Sequence, residues 1–315
     1  MAEQESQQML QMMKDFLRLV YTPATAAAEP AADTAVIINE FICSRVPEAA
    51  IPAFYLFSKL LPGIIPRNAF DDLIKGYEMD LSFSVVGDEG NESAAAAAAA
   101  GMPNGRQRDS RQSIMEQSPI KTEYDLVIYA DRVAGSVADM ICHLAWAILD
   151  PEGGQGTNGN AERIKTLAMA RQMGQALQFV NIARDIRTDA LLRRLYIPLT
   201  MFTDREQDLE ALFNKPETLV GKDYARYTLP LLGIANTLRT MSAGDIENLP
   251  RTARAGTRAM VASYFEIGKE IERRGGALDS ERLKVSRWRR LGAVLRCFWG
   301  WDQDGVSRGS INTSS

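Results

Sequence analysis

Between Arg171 and Pro198 the chain reads RQMGQALQFVNIARDIRTDALLRRLYIP, and this stretch restricts the possible folds more than any other. At about 100° per residue, Gly174, Gln178, Asn181, Asp185 and Asp189 fall at roughly 0°, 40°, −20°, 20° and 60° around a helix axis. One narrow stripe thus carries two amides and two carboxylates. Met173, Leu177 and Val180 border it on one side, Ile182 and Ile186 on the other. A polar stripe between apolar borders faces an interior, and interior carboxylates need a counter-charge. After Arg193 and Arg194, Pro198 stops the pattern. The stretch has the form of one wall of a metal and phosphate site.

The rest of the chain repeats the helical period without a convincing strand alternation or a fixed-period repeat, so the predicted fold class is all-α. Helices are expected over Gln7–Tyr21, Thr34–Ser44, Glu48–Leu61, Arg67–Leu81, Glu123–Leu149 and Ala161–Leu192. Further patterns cover Asp204–Asn214, Tyr224–Met241, Leu249–Arg274 and Glu281–Phe298. Ala24–Asp33 reads as a linker and Asp150–Asn160 as a loop. Residues 1–81 form the N-terminal helices, 82–121 an Ala-rich insertion expected to be disordered, 122–301 the main helices and 302–315 a polar tail. In Arg67–Leu81 the notable acids are Asp71, Asp72 and Asp80; the first two suit the first turn of a helix. Gly135 costs a helix interior about 1 kcal/mol relative to alanine. With Ala134, Ser136 and Ala138 it lets either a neighbouring helix or an elongated ligand come close.

The net charge of −4 offers no general attraction to nucleic acid. Cys43, Cys142 and Cys297 are far apart and make no CxxC pair, so neither a disulfide framework nor a zinc site is suggested. His143 is the sole histidine, which argues against a His-rich metal centre. Met1–Met12 lacks a signal-peptide core, and no apolar run reaches the ~20 residues of a membrane span. The chain is expected to be intracellular, soluble or bound at a membrane surface. In the last pattern Trp288, Leu291, Leu295 and Phe298 form an apolar stripe among Lys284, Arg287, Arg289, Arg290 and Arg296. It fits a membrane-surface helix or an ordinary packed terminal helix.

Asp185 and Asp189 stand one turn apart and repel unless a cation lies between them. Hard oxygen ligands suit Mg²⁺, which shares its shell with waters and substrate phosphates. Arg184, Arg193 and Arg194 could hold phosphate oxygens bidentately. On spacing alone, a helix end whose acids pair with Arg184, Arg187 and Arg193 explains the same residues.

The segment GQALQFVNIARDIRTDALLRRLYIP resembles the second aspartate-rich motif of the squalene/phytoene synthase family, roughly GxALQxxNIxRDxxxDxxRGRxYLP. YADRVAGSVADM is similar to that family's YxxxVAGxVGxM, and FDDLIKGYEMDL to the helix leading into it. YFEIGKEIERRG with the basic, Trp-rich end resembles fungal phytoene synthases, where the domain is often fused behind a membrane-embedded lycopene cyclase. The resemblance covers most of residues 50–301. It implies an isoprenoid-synthase-type helical bundle around a central cavity and Mg²⁺-dependent, head-to-head joining of two geranylgeranyl diphosphates, through a cyclopropyl diphosphate, to phytoene. Mn²⁺ is an alternative metal, and the implied partner is a prenyl diphosphate rather than a nucleic acid. By the resemblance Asn181, Asp185 and Asp189 contribute to the metal and diphosphate site, while Arg184 and Arg194 bind diphosphate. Tyr129 lies near the reacting carbons; Val133, Gly135, Val137, Gln178 and Tyr196 line the chain-binding cavity. Two departures stand out near these motifs. Leu191, Leu192 and Arg193 replace the family's arginine and glycine pattern, and Ala138 replaces a glycine. The family's first acidic motif, of DxxxD type, precedes the position of Phe70 and is not found in Met1–Phe70, so an N-terminally incomplete domain is expected. The alternative is a non-catalytic or truncated relative acting as a binding or assembly factor.

Overall fold

The computed structural model describes residues 2–22, 31–98, 118–151, 157–213, 219, 221–279 and 283–299. Among them the regular structure is helical and no strand is found. The helices are α1 (Ala2–Val20), α2 (Ala31–Arg45), α3 (Ile51–Leu60), α4 (Arg67–Ala98) and α5 (Glu123–Leu149). They continue with α6 (Thr157–Leu191), α7 (Arg205–Phe213), α8 (Ala225–Ser242), α9 (Arg251–Arg273) and α10 (Arg287–Trp299). The fold class is all-α, as the periodicity requires.

α1, α2 and α3 bury their apolar faces on one another in an aromatic cluster separate from the main core. The Phe16 ring lies 4.7 Å from Phe54 and 5.3 Å from Phe57. Phe57 meets Phe70 at 4.9 Å, which joins this cluster to α4. The main core surrounds α6, whose Ala176, Phe179, Val180 and Ala183 are fully buried. α8 packs along α6 through Leu231, Leu232 and Ala235, and α9 closes the bundle through Phe265, Ile267 and Ile271.

Of the differences from the sequence reading, two bear on the site; elsewhere α1 starts at Ala2 rather than Gln7, and α10 at Arg287 rather than Glu281, with 283–286 outside any helix. α4 runs past Leu81 to Ala98, because Phe83 is buried against Tyr196 and the alanine run has the highest helix propensity of any residue type. The expected boundary at residue 81 therefore falls inside a helix. Residues 99–117 of the expected insertion lie outside the described residues, whereas Ser118 and Ile120, at its far end, are buried. The 302–315 tail also lies outside them, as does most of the Ala24–Asp33 linker, whose last three residues belong to α2. The second difference lies in α5. It starts on a reciprocal cap, with Asp125 N–H donating to Thr122 Oγ1 and Thr122 N–H to Asp125 Oδ2, an arrangement that stabilises a helix by about 1 kcal/mol. It then widens into a π turn over Asp131–Gly135 before resuming as an α-helix. By length and composition Glu123–Leu149 could cross a membrane. Its middle, however, carries Asp131, Arg132 and Asp139, and both acids are ion-paired to α6 as in a core helix.

Candidate active site

α6 supplies one wall. On it Asn181 Nδ2 donates to Gln178 Oε1 at 3.2 Å, and the Tyr264 hydroxyl of α9 donates to Asn181 Oδ1. Three residues on, Arg184 grips Asp185 with two parallel bonds, Nε to Oδ1 at 2.9 Å and Nη2 to Oδ2 at 2.5 Å. Burial lowers the Arg184 pKa, but its bonds to Asp185 outweigh that and hold the guanidinium above its usual value. This pair belongs to the helix-end ion-pair alternative. The guanidinium that steadies Asp189 electrostatically most strongly is Arg194. Even so, burial, Asp185 and Asp80 together push the Asp189 carboxyl up to about 7.

The end of α6 aims Arg194. Arg194 N–H donates to Asp189 C=O and Arg193 N–H to Ala190 C=O, the bond pattern of a helix stop that needs a left-handed residue at its turn. That residue is Arg193, with φ of 58°. The family motif has glycine at this position, so the departure noted in the sequence coincides with a backbone conformation glycine adopts freely.

The facing wall comes from α4 and α5. The Tyr129 and Tyr196 hydroxyls each donate to Asp80 Oδ1 at 2.8 Å, and their rings stack at 5.0 Å. Burial first, and then Asp80 with the neighbouring phenol, raise the Tyr129 pKa; burial and Asp80 do the same for Tyr196, so both phenols keep their protons. Burial also raises the Asp80 pKa, partly offset by the two phenols and Arg194. Asp80 is the main site residue that sequence reasoning left unassigned. Its signal was its place on the helical face that carries Gly76 and Phe83, where an acid needs a reason.

α5 and α6 cross in near backbone contact. A β-carbon at Gly174 would lie 2.4 Å from the Ala134 carbonyl oxygen, and one at Gly76 would lie 2.5 Å from Val133 Cγ1. Arg171, one turn before Gly174, donates to Asp131 (3.0 Å from Nε), Asp139 (3.2 Å) and Asp72 (3.0 Å), and Gln175 also donates to Asp131. Eight residues along a regular helix separate Asp131 from Asp139 by about 80°; the extra residue of the π turn removes roughly 100°, which brings both carboxylates to the same guanidinium. Asp72, read as a first-turn acid, is thereby a partner of Arg171 as well as of Lys75.

The structure therefore brings together Gln178, Asn181, Arg184, Asp185, Asp189, Arg194, Tyr129 and Tyr196. Gly135 belongs to the helix crossing: a β-carbon there would lie 2.5 Å from Asp131 Oδ1 and 3.3 Å from the Arg171 carbonyl, which is the close-packing alternative. Val133 packs on α4 and the main core. Val137, in the α-helical half of α5 that follows the π turn, is 37% exposed. A small cavity of ≈ 10 Å³ lies beside Asp189, among Ile182, Ile186, Arg194, Tyr196 and Leu212. A larger cavity of ≈ 250 Å³ lies elsewhere, around His143, Trp146 and Arg163.

Residues 1–289 match the profile of the squalene/phytoene synthase family. This chain belongs to that family. Similar proteins include the bifunctional lycopene cyclase/phytoene synthase of Phaffia rhodozyma, 34% identical over 290 residues, covering 84% of this chain and 39% of that protein. The protein of the same name from Phaeosphaeria nodorum is 30% identical over 288 residues, covering 91% of this chain and 41% of its own length. The chain thus spans about two fifths of the length of these curated relatives. A solved dehydrosqualene synthase in complex with ligand aligns with a TM-score of 0.46 at 16% identity, over 93% of this chain and 86% of its own. Of the residues in the family motif, Asp189, Arg194 and Tyr196 are the ones that meet Asp80.

Proposed function

We propose that this domain joins two geranylgeranyl diphosphates head to head, first to a cyclopropyl diphosphate and then to phytoene. The observation that supports it best is the crowding of carboxylates on one wall: Asp189, pushed up to about 7, stands beside Asp185 with Asp80 opposite. Among the described residues no three acid, histidine or cysteine side chains converge as a complete metal cage. Mg²⁺ does not require one, since it takes one or two carboxylates and completes its shell with water and phosphate. Asp185, Asp189 and Asn181 would hold it, and when bound it supplies the positive charge that makes diphosphate a better leaving group.

The chain's own groups do the rest. Arg184 and Arg194 sit beside the two acids, ready to bind phosphate oxygens. The stacked rings of Tyr129 and Tyr196 present π faces to an allylic cation, while Asp80 fixes their hydroxyl protons. The apolar helical walls keep water from the cation.

A second reading, prenyl diphosphate binding without turnover, is favoured by one observation, the lack of a DxxxD pair in residues 1–70. Incubation with labelled geranylgeranyl diphosphate and Mg²⁺ separates the two. Labelled phytoene or its cyclopropyl precursor is expected. Label retained on the protein but unconverted would replace synthesis with binding, and neither product nor retention would sink both.

A further inference from the structure

The last helix turns its large residues the wrong way for a packed terminal helix. Among the α10 side chains that the structure describes, the buried ones are small, Ala293 and Cys297 against α9. Three large apolar ones are exposed: Trp288 at 80%, Leu291 at 44% and Leu295 at 37%. Around the axis these three lie at about 0°, −60° and −20°, with Arg287 at about −100° and Arg296 and Arg289 at about 80° and 100°. The outward apolar stripe is therefore bordered by arginine on both sides, and Arg287–Trp299 contains no acid. Arg289 pairs with Glu270 and Arg296 with Glu266 of α9, which fixes the roll of the helix and keeps the stripe outward.

We propose that α10 docks the protein flat against an anionic lipid bilayer, with Trp288, Leu291 and Leu295 entering the headgroup boundary and the exposed Arg287 and Arg290 binding lipid phosphates, while Arg289 and Arg296 stay paired to α9. Charge complementarity selects this occupant. Helices that lie in the membrane interface combine an apolar stripe containing Trp with flanking Lys or Arg, and the attraction to anionic lipid is local and salt-dependent. The chain as a whole carries −4, so attraction to such a surface has to come from a local basic patch, which also sets the orientation. A second copy pairing through this face would set arginine rows against arginine rows. The inference does not depend on the proposed reaction.

The test is co-sedimentation of the purified chain with vesicles of phosphatidylcholine alone or of equimolar phosphatidylcholine and phosphatidylserine. Binding to the anionic vesicles is expected to be about tenfold or more tighter than to the neutral ones, and to fall as NaCl rises from about 0.1 M, where the Debye length is about 10 Å. Trp288→Ala and the double charge reversal Arg287→Glu with Arg290→Glu are each expected to reduce binding by about tenfold. All three positions are exposed, and far-ultraviolet circular dichroism of the variants checks that the helices are retained. Equal or absent binding to the two vesicle types would overturn the proposal. So would anionic binding that both variants leave intact, or Trp288-dependent self-association in sedimentation velocity without vesicle binding.

Discussion

At the scale of single residues, Arg193 and Asp189 carry opposite kinds of tension. Arg193 holds a left-handed backbone, which costs a side chain about 1–2 kcal/mol, whereas glycine at that point gives up only about 0.5–1 kcal/mol of backbone entropy. Arg193→Gly is therefore expected to stabilise the chain by roughly 0.5 kcal/mol in urea unfolding. Arg193→Ala, which keeps the unfavourable φ, is expected to give no gain. Asp189 is under electrostatic rather than steric stress. Its folded carboxyl titrates near 7, against an ordinary value of 3.8, so the folded state holds the proton more tightly than the unfolded chain. The stabilisation this gives is complete below pH about 4 and is lost as the pH rises to about 7. In EDTA, Asp189→Asn is expected to remove that decline, so that its melting temperature exceeds that of the wild type above pH 7. A wild-type and variant difference that did not change between pH 4 and 8 would refute the buried, crowded carboxylate.

At the scale of elements, the crossing of α5 and α6 is the joint on which the site depends. Gly174→Ala places a carbon against the Ala134 carbonyl, a backbone group that cannot turn aside, and is expected to cost about 1–3 kcal/mol despite alanine's better helix propensity. Gly233 in α8 has open space around it, so Gly233→Ala is expected to gain about 0.5–1 kcal/mol in the same unfolding assay. The contrast also marks what could be read from sequence. The stripe on α6 was legible because a period of 3.6 repeats over many turns, and its helix was predicted within four residues at one end and one at the other. The π turn was not, since a single added residue leaves the composition and apolar spacing of α5 almost unchanged. Nor were the partners of Arg171, which lie 99, 40 and 32 positions away along the chain. For α10 the stripe itself was correctly seen, but periodicity cannot say which side of a helix its neighbours take.

At the scale of the whole molecule, α6 is a shared wall. α4 and α5 bring Asp80, Tyr129 and the π turn to one side of it, α9 brings Tyr264, and α10 rides on α9 at the surface. This division lets the interior keep the polar stripe while the basic, Trp-bearing helix remains outside. The central claim is that the acids of α6 form a Mg²⁺-dependent diphosphate wall. It is tested most directly by turnover of labelled geranylgeranyl diphosphate by the wild type, Asp185→Asn and Asp189→Asn, each with and without Mg²⁺. Conversion that requires Mg²⁺ and falls in both variants by on the order of 10²–10³ is expected, the range seen when charge stabilisation at a reacting group is removed. Conversion that survives either substitution at the wild-type rate, or that proceeds equally well in EDTA, would contradict it.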